Sequence, residues 1–290
     1  MLRACVDIGS NTTRLLVAEC RDGTLEEVCQ QRAFTRLGKL GRDGRVGPKK
    51  IAELAEVVRA QVHTARQLGA ESVRAVGTAA LRQAGDRDAV LGAVRAAADV
   101  EVEILSGGEE ARLAFVGATR TLGHAPVGEV GVVDVGGGSS ELIVGTLASG
   151  VCWCESFRLG SGDLAEAYLR SDPPSVEELN AVRAHVAGAL EGVQAPQPVH
   201  ALAVGGSATS LRRLVGAVLE PETLERGLRV LATERTEDVA RRFELDARRV
   251  RLLPAGILIL EAASELFGRA LQVSRGGLRE GVLLEAGAAA

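Results

Sequence analysis

Apolar and polar positions alternate along this chain in short blocks, and the blocks come twice in the same order. Residues 3–33 read as three strands: an apolar strand, a turn, a second apolar strand, and then a hairpin whose turn is Asp22-Gly23. A Gly-rich connection carries Arg36, Lys39, Arg42 and Arg45. Pro48 then opens a helix with Ile51, Leu54, Val58, Val62 and Leu68 at helical spacing. A buried strand over 72–77, a helix to about residue 98, a short strand over 102–105 and a helix from near Glu109 follow. The second half predicts strands over 130–135, 141–146 and 151–157, a helix leaving from Asp163, and a long helix over 176–193 after Pro173-Pro174. A strand over 201–204 then runs into Gly205-Gly206-Ser207-Ala208-Thr209 and another helix. This order indicates α/β layers. The pattern thins over 118–128, which predicts two domains, 1–120 and 121–290. A last helix over about 278–287 is able to pack back on the first domain, and the small-residue tail 286–290 is expected to fray.

Within these blocks one arrangement recurs 127 positions apart. Asp7-Ile8-Gly9-Ser10-Asn11-Thr12-Thr13-Arg14 and Asp134-Val135-Gly136-Gly137-Gly138-Ser139-Ser140-Glu141 each put an Asp at the end of an apolar strand, before a turn of glycine, hydroxyl and amide residues. Glycines let backbone N–H groups approach an oxyanion, hydroxyls add donors, and a carboxylate at the strand end can hold a hydrated divalent metal. An Asp before Gly can also simply close a turn through its own side chain. Its duplication, with Glu141 on the strand adjoining Asp134, favours a pair of phosphate-holding turns.

Composition narrows the partners. A chain of 290 residues exceeds the usual single core and fits two domains. One Trp, one Tyr and five Phe are too few for a base-stacking surface, and a net charge of −4 argues against a whole-protein basic field, so nucleic acid is not an expected partner. Only three of the 34 basic residues are lysines, and arginine is the better bidentate phosphate ligand. Cys5, Cys20, Cys29, Cys152 and Cys154 show no disulfide spacing. Cys152 and Cys154 are expected on one face of a strand, without a completed metal-ligand set. With a strand starting by the third residue, and neither a signal-peptide pattern nor a membrane-length apolar run, a cytoplasmic location is expected.

Three further loops carry candidate chemistry. In Ser106-Gly107-Gly108-Glu109-Glu110, Ser106 and Glu109 have capping-box spacing. Glu110 has no such duty, and local sequence favours helix-end charge complementarity for it over proton transfer. In Gly77-Thr78-Ala79-Ala80-Leu81-Arg82, Thr78 and Arg82 can face an anion, or Arg82 can be an ordinary surface residue. Gly206 and Ser207 stand equally between a tight turn and a third phosphate contact. None of these loops ends in the Gly-Lys-Ser/Thr of a P-loop.

Together with Gly276-Gly277-Leu278-Arg279-Glu280-Gly281, these motifs resemble the exopolyphosphatase and guanosine pentaphosphate phosphohydrolase family. That family is a branch of the superfamily holding actin, chaperone ATPases and sugar kinases. The resemblance covers nearly the whole chain. It implies two duplicated actin-like (ribonuclease H-like) domains, each a mixed sheet with flanking helices, around a central cleft. It implies Glu110 as general base for an attacking water, and Asp134 and Glu141, with Asp7, as carboxylates at Mg²⁺ or another divalent cation such as Mn²⁺. Gly9, Ser10, Asn11, Thr12, Arg82, Gly136, Gly137, Gly138, Ser139, Gly206 and Ser207 become phosphate grips. The expected reaction is hydrolysis of the terminal phosphoanhydride of inorganic polyphosphate, with guanosine pentaphosphate as the alternative substrate. A kinase of the superfamily and a non-catalytic polyphosphate- or nucleotide-responsive regulator are more distant alternatives, and a homodimer is compatible with the resemblance. Asp86 is a local departure, since relatives often have Asn there.

Overall fold

A computed structural model describes residues 1–21, 23–41 and 43–288. The predicted turn residue Asp22, the loop cation Arg42 and the last two alanines of the tail lie outside them. In chain order the first elements are β1 (Leu2–Ile8), β2 (Thr13–Arg21), β3 (Thr24–Ala33), α1 (Pro48–Gln67), β4 (Ser72–Gly77), α2 (Ala79–Gln83), α3 (Arg87–Ala98), β5 (Val102–Ile104) and α4 (Gly107–Arg120). Then come β6 (Val130–Val135), β7 (Ser140–Thr146), β8 (Gly150–Phe157), α5 (Ser161–Tyr168), α6 (Val176–Ala189), β9 (His200–Val204) and α7 (Gly205–Val215). The remainder is β10 (Val218–Leu219), α8 (Pro221–Thr233), α9 (Thr236–Arg242), α10 (Ala247–Val250), α11 (Leu253–Phe267), β11 (Leu271–Val273) and α12 (Leu278–Ala288).

The repeated sequence order becomes a repeated sheet. One sheet runs β3-β2-β1-β4-β5, and the other runs β8-β7-β6-β9-β11 with β10 added at the edge. In both, an antiparallel meander is joined through its first strand to a parallel strand reached by a helical crossover. The chain divides into two compact units: Met1–Gly123 together with the stretch from Gly276 on, and His124–Arg275.

In the first unit the alternation of β1 decides what covers each face. Ala4, Val6 and Ile8 pack with Leu54, Val58 and Val62 of α1 and Val90 and Val94 of α3. Cys5, on the opposite face, packs with Leu16, Leu113 of α4 and Leu278, Val282 and Leu283 of α12. Burial, aided by Asp7 nearby, pushes the Cys5 thiol well above the usual range. In the second unit Val133, Val135, Leu142 and Val144 pack with Leu211 of α7 and the apolar length of α11. Among the described residues no helix is long and apolar enough to cross a membrane.

Several expectations change. Leu68 is 43% exposed because α1 ends at Gln67, and Gln61 takes the buried position instead, donating to the Thr13 carbonyl. The helix expected to run to residue 98 is broken into α2 and α3. The break carries Asp86, whose carboxylate accepts from the backbone N–H groups of Val46 (2.8 Å) and Gly47 (3.0 Å) rather than capping α3. The helix from Val176 stops at Ala189, ahead of Gly192 at φ 76°. Residues 286–288, expected to fray, continue α12.

Asp86 yields a testable pH dependence. The Val46 and Gly47 amides, assisted by Arg45, hold its carboxyl below the ordinary Asp range against the opposing effect of burial. A folded-state pKa below the unfolded one adds stability above the unfolded pKa and loses it as pH falls through the folded value. Replacing Asp86 by Ala is expected to cost about 2 kcal/mol at neutral pH, as for hydrogen bonds to a charged group. Urea titrations of both proteins should converge as pH falls below about 4. A difference that stays constant to lower pH would contradict this role.

Candidate active site

The two glycine turns have the same internal geometry. Gly9 N–H donates to the Thr12 carbonyl at 3.0 Å, and Gly136 N–H donates to the Ser139 carbonyl at 2.9 Å. Four of the other carbonyls are bonded into the fold. Ser10 and Asn11 accept from Gly38 (2.8 Å) and Arg36 (3.0 Å), Gly136 accepts from Ser161, and Gly137 accepts from Gly162 and Asp163 at the start of α5. By contrast, the N–H groups of Ser10, Asn11 and Thr12, and of Gly137, Gly138 and Ser139, meet no acceptor among the described residues. Buried or half-buried amides of this kind need a partner. Clustered in a turn, they form a concavity suited to an anion. Space in the second turn is tight, since a Cβ on Gly160 would lie 2.1 Å from the Gly137 carbonyl oxygen.

Register then gives the two turns opposite electrostatics. Asp7 stands across the ladder from Arg14, and Asp134 stands across from Glu141. Asp7 Oδ2 accepts from Arg14 Nη2 at 2.7 Å and Nε at 3.2 Å. The first turn therefore carries an ion pair. In the second, two carboxylates are cross-strand neighbours, at a spacing of about 5 Å between Cβ atoms where like charges repel. Glu141 is 3% exposed, and its Oε1 accepts from Ser156 Oγ at 2.9 Å.

The third small-residue turn comes alongside this pair. Gly205 has φ 85°, and a Cβ there would lie 2.5 Å from Asp134 Oδ1. On Gly206 a Cβ would lie 2.7 Å from the guanidinium of buried Arg249 on α10, so the missing side chain lets an arginine rest against the turn. The expected contact through the Ser207 hydroxyl is corrected: Ser207 is fully buried and faces α11, with its Oγ 2.6 Å from where a Gly256 Cβ would be. Nothing in the local sequence marked Arg249. Arg14 had a signal, since it follows Asp7 by the seven residues that separate Glu141 from Asp134.

Two predicted residues of the first unit meet directly. Arg82 Nη1 donates to Glu110 Oε2 at 2.7 Å and to the Leu105 carbonyl at 2.8 Å, so the expected base and one expected phosphate grip form an ion pair at the start of α4. Glu110 is 7% exposed. Its neighbour Glu109 completes the predicted capping box with Ser106. Hydrogen bonds from the Ser106 backbone and hydroxyl lower the Glu109 carboxyl below its ordinary range.

Comparison with known proteins places this geometry. The model of the Ppx/GppA phosphatase family matches residues 16–288. Exopolyphosphatase 2 of Mycobacterium tuberculosis is 36% identical over 200 residues, covering 65% of this chain and 61% of that protein, so the match spans about three fifths of the relative's length. Exopolyphosphatase 1 of Mycobacterium leprae is 28% identical over 96% of this chain and 87% of its own. Among solved structures, the Aquifex aeolicus member of the Ppx/GppA family aligns with TM-score 0.83 at 30% identity, over 100% of this chain and 98% of the other. An exopolyphosphatase from Cytophaga hutchinsonii, with TM-score 0.86 at 19% identity over 99% and 98% of the two chains, shares the fold. The fold is thus actin-like, with a mixed sheet and flanking helices in each unit, and the chain belongs to the Ppx/GppA phosphatase family.

Proposed function

We propose that this protein hydrolyses the terminal phosphoanhydride of inorganic polyphosphate and releases orthophosphate. The observation that carries the reading is the pair of turns, each of which leaves three N–H groups for an anion. The names of the exopolyphosphatase relatives support the substrate class. Phosphoryl transfer to water asks chiefly for positioning and charge neutralisation, which such turns supply. Residues 9–12 and 136–139 would hold phosphate oxygens, and Gly206 would let Arg249 approach them. Arg14, fixed by Asp7, would add a fork of donors. That assigns Asp7 to orienting Arg14 rather than to a metal. Glu110, its carboxylate oriented by Arg82, would line up the attacking water and take its proton.

The Asp134 and Glu141 pair fits a hard divalent cation. Both offer oxygen, and their juxtaposition is stabilised by positive charge. No larger group of His, Cys, Asp and Glu that could hold a metal occurs among the described residues, which suits Mg²⁺ with several retained waters. When bound, the ion supplies charge that offsets the phosphate oxygens.

Phosphate release from long polyphosphate, guanosine pentaphosphate and ATP, with and without Mg²⁺, tests the reading. Long polyphosphate is expected to give the highest specificity constant and to require the metal. A higher constant for guanosine pentaphosphate would transfer the activity to that substrate, and no release from any of the three would end the hydrolase assignment. Asp134→Asn or Glu141→Gln should raise the Mg²⁺ concentration giving half-maximal rate by about tenfold or more, the usual scale for disturbing a metal site. Glu109→Gln should leave it unchanged.

A further inference from the structure

Charge is unevenly placed along the chain. Against a net charge of −4, residues 36–50 hold six basic residues, including all three lysines, and one acidic residue. Two sets of contacts pin this segment within the first unit. At its start, Arg36 N–H donates to the Asn11 carbonyl and Gly38 N–H to the Ser10 carbonyl, so residues 36–38 lie against the first glycine turn. Arg36 adopts φ 50° there, a region residues with a Cβ rarely occupy and one associated with functional segments. Further on, Gly85 N–H donates to the Gly44 carbonyl at 3.0 Å, and Asp86 takes the Val46 and Gly47 amides, which fixes residues 44–47 on the turn between α2 and α3. Arg36, Lys39 and Arg45 are exposed. A surface cavity of about 360 Å³ opens beside Arg45, lined also by Arg87 and Asp88.

We infer that residues 36–39 and 44–47 form a track for the distal phosphates of long-chain polyphosphate, with Arg36, Lys39 and Arg45 as its cationic contacts. The inference rests on the proposed hydrolysis, with the chain's terminal phosphate at the first turn. Cations strung along an anchored loop that begins at that turn match a flexible polymer of phosphates, whereas a short substrate ends before reaching them. The segment contains no aromatic residue on which a base would stack, which favours polyphosphate over single-stranded nucleic acid.

The test uses the full chain carrying Arg36→Gln, Lys39→Gln and Arg45→Gln together. Binding of end-labelled long-chain polyphosphate is followed by fluorescence anisotropy across a KCl series, alongside hydrolysis of long chains and of tripolyphosphate. By analogy with counterion release from nucleic acids, the variant should bind long chains about tenfold more weakly at low salt. The slope of log affinity against log salt should become shallower by about 2. The KM for tripolyphosphate should stay within about twofold, because a short substrate does not reach these contacts. Unchanged affinity and slope, an equal loss on tripolyphosphate, or equally strong competition by an oligonucleotide of matched charge would overturn the track. Failure of the hydrolase reading is seen separately, as no phosphate release by the unaltered protein, while the binding comparison still decides the track.

Discussion

Glu110→Gln is expected to abolish most phosphate release while leaving the fold and polyphosphate binding in place. The amide keeps the shape of the side chain and can still accept from Arg82, which is also held by the Leu105 carbonyl. What is lost is the group that takes a proton from water, and removal of a general base costs on the order of 10²–10⁴ in rate. Steady-state turnover on long polyphosphate, compared with thermal stability and substrate affinity of the same preparation, checks this. Equal turnover in both proteins would remove Glu110 from the mechanism. A larger loss in Glu109→Gln would move the base to the adjacent residue, although Glu109 is already committed to the Ser106 cap.

Gly281→Ala is expected to be among the most destabilising small substitutions in the chain. Helices α4 and α12 meet backbone to backbone. A Cβ on Gly281 would lie 1.9 Å from the Leu113 carbonyl oxygen, and one on Gly117 would lie 1.9 Å from that of Gly277. Neither partner is the mobile end of a side chain, so relief requires separating the helices. Overpacking of this kind costs about 3 kcal/mol, toward the upper end of its usual range. The corresponding fall in Tm is roughly 6–12 °C. Gly92→Ala is the control: it lies in α3 with nothing within 4 Å of the added carbon, and should stabilise the protein by about 0.5–1 kcal/mol. A Gly281→Ala protein melting within a degree of its parent would show that the helices can move apart at little cost.

Both glycine turns were legible in the sequence because their signals are local: an apolar strand closed by Asp, then glycines, then an apolar strand. The shared order of the two sheets followed from the same repetition. Side-chain partnerships were less visible. Arg82 and Glu110 are 28 residues apart and meet only because β4 and β5 pair in parallel and bring the starts of α2 and α4 together. Arg14 and Glu141 occupy equivalent ladder positions, and the difference in their charge became informative once the register showed each facing its Asp. Arg249 sits in a four-residue helix, in a stretch without motif or clear periodicity, and only the missing side chain of Gly206 reveals why it is there. Ser207 misled for a related reason, since a hydroxyl in a Gly-Gly-Ser turn looks the same in sequence whether it faces a ligand or the core.

The second unit is an insertion in the first. Residues 124–275 are contiguous, whereas the sheet of the first unit has one face covered by α12, which begins at Leu278. During synthesis the inserted unit can therefore complete its core while its host still exposes Cys5, Leu16, Ala18 and Val76. The host is closed only by residues that leave the ribosome after the whole inserted unit. A nascent chain halted before Leu278 would present an open apolar sheet face to chaperones and proteases. Completion of the first unit's core thus waits on a helix that follows the whole inserted unit in the chain, and the first glycine turn rests on that core only once the insertion has been made.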